Sequence, residues 1–411
     1  MSPVLGCIAD DHTGGSDVAA ALRRAGLRTV LRFGVPSSAT VVPDCDAIVV
    51  ALKTRALPVD EAVEQSTAAR RWLASQGVER FYVKYCSTFD STDEGNIGPV
   101  VDALAGDALT LICPATPEHG RTTYSGHLFV NGVLLSESPM RHHPLTPMTD
   151  SNLVRVLSRQ TPHPVGLLPL DVIRGGSVRD HLDSLADNGI RHVVVDATED
   201  GDLLTVARAT AHLPVVTGGA GLAGAIGRTT TTSRPDETTP LPSGPTVVLA
   251  GSCSTATLAQ LEQAISRFPA YRLDPAATAD PEELALKAFA WLDEHFGDGP
   301  VVLYSSANPE QREQARAAMG PRTSEILERV IGRLAERAVK LGARRVVVAG
   351  GETSGAVTTA LGVDQVLVGK EADRGVPWCV TTGDDPIALL LKSGNFGRPD
   401  LLVRAALDGS P

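Results

Sequence analysis

Short apolar runs rich in β-branched residues recur along the chain. Each is followed by a Gly/Asp/Ser turn and then by a helical pattern. The clearest runs are 4–9, 46–52, 80–85, 109–113, 192–196, 246–250, 301–304 and 345–349. Continuous apolar strands alternating with helices predict mostly parallel sheets flanked by helices, an α/β fold. The stretch 323–341 shows the helical period well, with Ile326, Leu327, Val330, Leu334, Ala338 and Leu341 on one face and charges opposite. One segment departs from this pattern. Near 126–136 two short apolar runs flank Asn131-Gly132, a strong two-residue turn signal, and predict an antiparallel β-hairpin. The stretch 227–244 is rich in Thr, Pro and Ser and nearly free of large apolar residues. It reads as a linker, dividing the chain into a domain at 1–226 and a second at 245–411, each of ordinary single-domain size.

Composition narrows the function classes. The chain has 411 residues, of which 43% are hydrophobic and 21% charged, as in globular proteins with a sizeable core. Aromatics are 4%, a poor supply of stacking platforms for nucleic acid. The formal net charge of −11 disfavours nucleic acid and anionic membranes as partners. An anionic substrate would need a local basic pocket. The six cysteines, Cys7, Cys45, Cys86, Cys113, Cys253 and Cys379, are scattered without a CxxC pair. They read as thiols of a reducing compartment, not as a zinc site or disulfide frame. The N-terminus shows no basic stretch leading into an apolar one, and no apolar run reaches about 18 residues. A cytoplasmic location is expected.

Candidate chemistry begins where the first strand ends, at Asp10-Asp11-His12-Thr13-Gly14-Gly15, with a helix expected from near Ser16. Ligands of open parallel sheets sit at the carboxyl ends of strands. Two carboxylates there suit polyol hydroxyls or a metal; the plain alternative is an acidic helix cap. The segment 84–98, from Lys84 to Gly98, leaves a strand and is dense in hydroxyls and carboxylates. So many polar groups after a buried strand call for a ligand or a capped turn to satisfy them. Asp90 is placed to accept a substrate proton, and Ser91 and Thr92 to hold neighbouring oxygens. Arg55, at another strand end, and Lys84 are candidate carboxylate partners, Arg with the bidentate geometry. His127 is a weaker candidate for the same cleft. His142 and His143 face opposite ways in an extended segment and make a poor metal pair.

The second half carries strand–turn–helix units at Gly251-Ser252-Cys253-Ser254 and at Gly350-Gly351-Glu352-Thr353-Ser354. A third Gly loop, with a cation, runs from Lys392 through Gly394 to Gly397. Free backbone N–H groups and helix dipoles make such turns anion sites, and small residues let a phosphate approach. Together they predict a nucleotide cradle. There is no GxxxxGK[ST], so this is not a P-loop. A formal GxGxxG stands at 219–224, but it lacks the acidic residue about 20 positions on that dinucleotide binding requires.

Taken together, these blocks resemble the four-carbon acid sugar kinase family over essentially the whole chain. The resemblance rests on the openings around Asp10-Asp11 and 84–98, the middle segments 112–138 and 143–157, and the turns at 250–254, 347–355 and 391–397. His12 and Gly15 stand where the family usually has other residues, and Glu94 replaces a common Arg. The last difference points to the oxo-tetronate branch. The resemblance implies an N-terminal acid-sugar domain and a C-terminal nucleotide domain. It also implies ATP-dependent phosphorylation of the C4 hydroxyl of 3-oxo-tetronate, with D-threonate or D-erythronate as the rival substrates and a non-catalytic sensor as the rival class; Mg²⁺ is expected from phosphoryl transfer itself. Asp10, Asp11, Arg55, Lys84, Asp90, Ser91 and Thr92 fall in its substrate-side motifs. Ser252, Ser254, Gly351, Glu352, Thr353, Ser354, Gly394 and Gly397 fall in its nucleotide-side motifs. Asp90 or Asp10 is the expected base. Closure of the two domains over both ligands is expected to exclude water.

Overall fold

Strands in the N-terminal part run, in chain order, β1 (Leu5–Ala9), β2 (Thr29–Phe33), β3 (Ala47–Ala51), β4 (Phe81–Lys84), β5 (Thr110–Cys113), β6 (Arg121–Tyr124), β7 (His127–Val130), β8 (Val133–Leu134), β9 (Val165–Leu168), β10 (His192–Val195) and β11 (Val215–Gly218). In this computed structural model the residues described are 2–37, 40–143, 146–230 and 240–408. The chain divides into two compact units, Met1–Glu237 and Thr238–Pro411.

In the first unit the strands pair in the order β2-β3-β1-β4-β11-β5-β10-β9, parallel throughout. Most of these strands are buried along their whole length; β1, β3 and β10 expose nothing. That is why they read as unbroken apolar runs. The helix after β1 spans His12–Arg24, four residues earlier than its apolar pattern suggested. Asp11 caps it, its side chain accepting from the Gly14 amide at 2.8 Å. Gly14 and Gly15 therefore lie inside the helix and not in a turn. A side chain on Gly15 would bring its Cβ within 2.5 Å of Ala51 Cβ on β3, so glycine here lets helix and sheet approach closely.

The predicted hairpin forms at Asn131-Gly132, between Val130 and Val133. Both turn residues have positive φ, 51° and 81°, as a type I′ turn requires. A second such turn, Ser125-Gly126 at 48° and 72°, adds β6 and makes a separate three-stranded antiparallel sheet, β6-β7-β8. Under it lies a core that includes Tyr85, Phe89, Ile97, Leu128, Leu135 and Leu153.

The glycines of 219–224 serve packing. A Cβ on Gly219 would stand 2.6 Å from the Pro114 carbonyl oxygen, and one on Gly221 2.8 Å from that of Ala115. The helix Ala220–Thr229 also takes in the first residues of the expected linker. Gly227 faces Ala25 so closely that a Cβ would lie 2.8 Å from the Ala25 Cβ. Residues 231–239 of that linker lie outside the described residues.

The second unit contributes β12 (Thr246–Ala250), β13 (Ala270–Arg272), β14 (Val301–Tyr304), β15 (Arg345–Ala349), β16 (Gln365–Asp373), β17 (Val376–Thr381) and β18 (Ala388–Lys392). They pair in the order β13-β14-β12-β15-β18-β17-β16. All ladders are parallel except those of β17, which runs antiparallel to both β16 and β18. The helix Thr323–Lys340 buries Val330, Leu334 and Ala338 as its pattern predicts, whereas Leu341 is left exposed just past its end. Fully buried Trp378 on β17 centres a core with Val248, Val347, Leu390 and Leu402. No helix among the described residues is long and apolar enough to cross a membrane. All six cysteines are free thiols, with Cys86 and Cys253 only half-buried.

Candidate active site

Sheet topology says where each unit can hold a ligand. From β1 the chain adds β3 and β2 on one side and then crosses to β4 on the other. The crevice beyond the carboxyl ends of β1 and β4 is therefore a topological switch point, the usual place for a ligand in an open α/β sheet. Asp10 and Asp11 leave β1 there, and Lys84 ends β4. A cavity at this point is lined by Asp10, Thr54, Arg55, Lys84, Tyr85, Asp90, Ser91 and Asn96 over apolar Ile8, Val83, Ile97 and Val100.

Its charges are tightly arranged. Arg55 grips Asp10 with both arms, Nε to Oδ2 at 2.9 Å and Nη2 to Oδ1 at 2.8 Å. The same Nη2 lies 2.9 Å from Asp11 Oδ1. Asn96 holds Arg55 in place from below. Its Nδ2 donates to the carbonyls of Thr54, Arg55 and Leu57 at 2.8, 3.2 and 2.9 Å. Burial lifts the Asp10 carboxyl above the usual range, against the opposing pull of Arg55. Burial also acts to raise Asp11. There the charges of Arg55 and Lys84 and the bonds from Thr13 and Gly14 outweigh it, and the carboxyl falls below its ordinary value. The His12 imidazole is pushed down to about 4 by burial, with Lys53 adding to the effect.

Lys84 is held more loosely. Its buried ammonium donates to the Tyr85 carbonyl at 2.9 Å and lies 3.8 Å from Asp17 Oδ2. Burial is the main cause that raises the Asp17 carboxyl, with Lys84 opposing it. His119, from the short 3₁₀ turn after β5, stands 4.0 Å from Asp17.

Asp90 sits on a constrained turn. The preceding Phe89 has φ 53°, uncommon for a bulky residue, yet its ring is fully buried and meets Tyr85 edge-on at 5.5 Å. Phe89 thus anchors the loop and Asp90 follows it at the cavity wall. Asp90 Oδ1 accepts from Thr88 Oγ1 at 2.6 Å. Asp90 Oδ2 takes no hydrogen bond from the described residues.

Ser91, Thr92 and His127 stand in three different surroundings. Gln160 donates to Ser91 Oγ at 2.9 Å and to the Thr92 carbonyl at 2.5 Å, and accepts from the Gly98 amide at 2.9 Å. Ser91 is buried in this tie, and Thr92 opens instead onto a neighbouring surface cavity with Asp93, Glu94, Asp150 and Arg159. His127 lies on β7, its Nδ1 2.8 Å from the Ser125 carbonyl oxygen, and is not among the residues lining the Asp10–Arg55 cavity.

The second unit repeats the topological logic. From β12 the chain places β14 and β13 on one side and β15 on the other, so its switch point lies between β12 and β15. The turn 251–254 leaves β12; at the end of β15 the expected turn at 350–354 is instead the start of a helix, Gly351–Ala360, with Gly350 at φ 134° before it. They are in contact: a Cβ on Gly251 would lie 2.3 Å from Thr353 Oγ1. The third loop joins them. Ser254 Oγ donates to the Gly394 carbonyl at 2.6 Å and Thr257 Oγ1 to the same oxygen at 2.9 Å. A Cβ on Gly394 would lie 2.4 Å from Ser252 Oγ. Gln260 Nε2 fixes the rest of the loop through the carbonyls of Phe396, Gly397 and Arg398, each at 3.0 Å. Gly397, at φ 87°, shapes this loop.

Two features add positive charge or free donors to this loop cluster. The helix Gly351–Ala360 begins without a side-chain cap, leaving its first amides free for an anion. Glu352 is exposed there, while Ser354 is buried and bonds back to the Gly350 carbonyl at 2.7 Å. Lys392 is fully buried, and its ammonium meets only neutral oxygens, Thr257 Oγ1 at 2.8 Å and the Gly394 carbonyl at 3.0 Å. Burial pushes its pKa down to about 8.

Family models match both units. Residues 5–226 match a sugar-binding N-terminal domain, and residues 247–402 a nucleotide-binding C-terminal domain. The chain belongs to the four-carbon acid sugar kinase family. Among the curated members of this family it is similar to the 3-oxo-tetronate kinase of Burkholderia multivorans, 48% identical over 99% of this chain and 98% of that protein. It is also similar to the 3-oxo-tetronate kinase of Cupriavidus necator, 46% identical over 98% and 96%. A solved structure of a Salmonella typhimurium LT2 protein superposes with a TM-score of 0.90 at 39% identity, covering 98% of each chain.

In this four-carbon acid sugar kinase several residues that shape the sites escaped the sequence reading. Asn96, Gln160, Gln260 and Phe89 act by tying carbonyls or by filling a core. Their only signal was proximity to Gly-rich or hydroxyl-rich loops. His119 lay in the middle segment 112–138 but had no local pattern to mark it.

Proposed function

We propose that this family member is an ATP-dependent kinase that phosphorylates the C4 hydroxyl of 3-oxo-tetronate, giving the 4-phosphate and ADP. The observation that carries the reading is identity of 48% to 41% with curated 3-oxo-tetronate kinases across 98% or more of the chain. The two switch-point sites support it chemically, one rich in carboxylates and paired cations, the other an anion cradle.

The C4 hydroxyl oxygen attacks the γ-phosphorus. The bond from that phosphorus to the β–γ bridging oxygen breaks, ADP leaves, and the hydroxyl proton passes to Asp90. Asp90 suits this role better than Asp10, because both Asp10 oxygens are occupied by Arg55 and one Asp90 oxygen is open. Lys84 has donors to spare and takes the substrate carboxylate. The Arg55–Asp10–Asp11 group orients the remaining oxygens, the geometric part of catalysis. Among the described residues there is no group of three or more metal-ligating side chains. Mg²⁺ would come in on the triphosphate, and its contribution would be to neutralise phosphate charge. The uncapped helix at Gly351 and the ammonium of Lys392 hold the phosphates.

An ADP-release assay over 3-oxo-tetronate, D-threonate and D-erythronate tests the assignment, with the product phosphate located by NMR. Selective turnover of the oxo acid with phosphate on C4 is expected. Preference for a reduced acid would move the substrate assignment, and no release with any acid would end the kinase reading.

Lys392→Met should weaken ATP binding by about 10-fold or more, the scale of one lost charge-assisted contact of about 1.5–3 kcal/mol. Calorimetry measures it directly. Wild-type affinity should fall above pH 8, as the ammonium with a pKa of about 8 loses its proton, and the Met variant should not share that fall. Stability moves the other way. The unfolded lysine keeps its proton to about 10.5 and the folded one only to about 8. Between those values the unfolded state binds more protons, so wild type gains stability relative to the variant as pH rises.

A further inference from the structure

The Asp10–Arg55 cavity gathers more negative charge than positive. Its two cations, Arg55 and Lys84, meet four carboxylates. Asp10 and Asp90 line the cavity with them, Asp11 shares Arg55, and Asp17 stands beside the Lys84 ammonium. An acid substrate brings a fifth. Like charges brought together favour proton uptake by the group least able to stay ionised.

Three of the four carboxylates are held as anions by hydrogen bonds. Asp10 takes two from Arg55. Asp11 accepts from Thr13 Oγ1 at 2.7 Å and from the Gly14 amide at 2.8 Å, and Asp90 accepts from Thr88. Asp17 is the exception. Its side chain is 16% exposed and accepts no hydrogen bond among the described residues. Its charge rests on Lys84 at 3.8 Å and on His119 at 4.0 Å. His119 also lies 3.6 Å from Glu118, which is 3.0 Å from Arg24. Burial raises the Asp17 carboxyl above its ordinary value, Lys84 and His119 oppose this, and Glu118 and Asp11 add to it. The other elements packed on this helix bring no charge to Asp17. β1 and β3 contain no charged residue. Arg32 of β2 lies over the Trp72 ring instead. Arg228, in the last turn of the helix Ala220–Thr229, follows Gly227, which meets Ala25 about two turns beyond Asp17.

We propose that Asp17 is a positioning residue that exchanges its cation for a proton: the substrate carboxylate takes the Lys84 ammonium from Asp17, and Asp17 takes a proton from solvent. The net charge of the site is then the same before and after the acid binds. Asp17 acts on the substrate through Lys84. The proposal rests on the reading of this cavity as the acid-sugar site.

Calorimetry with 3-oxo-tetronate, on enzyme saturated with ADP so that no phosphoryl group moves, counts the protons when it is repeated in buffers of different ionisation enthalpy. Wild type should take up about one proton per acid bound. Its affinity should fall between about pH 6 and about pH 8, by up to about 10-fold per pH unit, the slope of one linked proton. Asp17→Asn is nearly isosteric and breaks no hydrogen bond of the Asp17 side chain. It should bind the acid without proton uptake, with a nearly flat pH dependence, and more tightly than wild type at about pH 8, because nothing then competes for Lys84. Weaker binding by the variant at every pH would mean a purely structural role and overturns the proposal. Uptake that persists in Asp17→Asn also overturns it, since the proton then goes to His119 or another carboxylate. ADP release with the acid but no proton uptake in wild type overturns the proposal and leaves the kinase reading standing. If no four-carbon acid binds or releases ADP, the acid-sugar reading fails and the proposal falls with it.

Discussion

Asp90→Asn should lower turnover by about 10²–10⁴-fold, the usual loss when a general base is removed, with ATP affinity little changed. The substitution is nearly isosteric. The amide oxygen can still accept from Thr88 Oγ1, which holds the present carboxylate at 2.6 Å, and the buried Phe89 still anchors the turn. The lost function is proton acceptance at the oxygen that Thr88 does not use. ADP release at saturating substrate and nucleotide is the measurement. A rate within a few-fold of wild type would remove Asp90 as the base. Asp10 would not be the natural successor, because proton transfer to it would weaken its paired grip on Arg55.

Arg55→Met should destabilise the sugar-binding unit strongly. It leaves Asp10 and Asp11 without the charge that both share. Breaking a buried pair by removing one partner costs about 3–5 kcal/mol. The low end applies here, because Arg55 keeps 26% of its side chain exposed. The pH dependence identifies the cause. In wild type the Asp11 carboxyl lies below its ordinary value. That contribution is present above the unfolded value of about 3.8 and is lost as pH falls through the folded one. Without Arg55, burial drives both carboxyls up. The folded variant then binds more protons than its unfolded chain, so it gains stability as pH falls from 7 towards 5. Denaturant titrations should show the gap to wild type narrowing over that range, and Asp10→Asn placed on Arg55→Met should recover part of it. A gap independent of pH would mean that the loss is one of packing.

The parallel core was legible because strands buried on both faces carry no polar alternation. β12, β14 and β15 begin and end where their apolar runs do. Less visible was the start of the first helix, since Gly14-Gly15 reads locally as a turn. Its reason is Ala51, brought alongside by the sheet. The same holds for Gly219 and Gly221, whose spacing imitates a dinucleotide loop while serving close contact with the chain after β5. The antiparallel pair β16–β17 also passed unread; its alternation is hidden because β17 is buried nearly throughout.

Residue type and order alone determined the α/β class and the family, because these depend on short-range pattern and local backbone chemistry. Which charges are free to meet a ligand was decided only by the tertiary structure. Asp10 and Arg55 are 45 positions apart, yet share two hydrogen bonds. Ser91 is taken up by Gln160, 69 positions away. Partner choice is set by distances that folding creates, and folding joins residues whose separation along the chain carries no record of them.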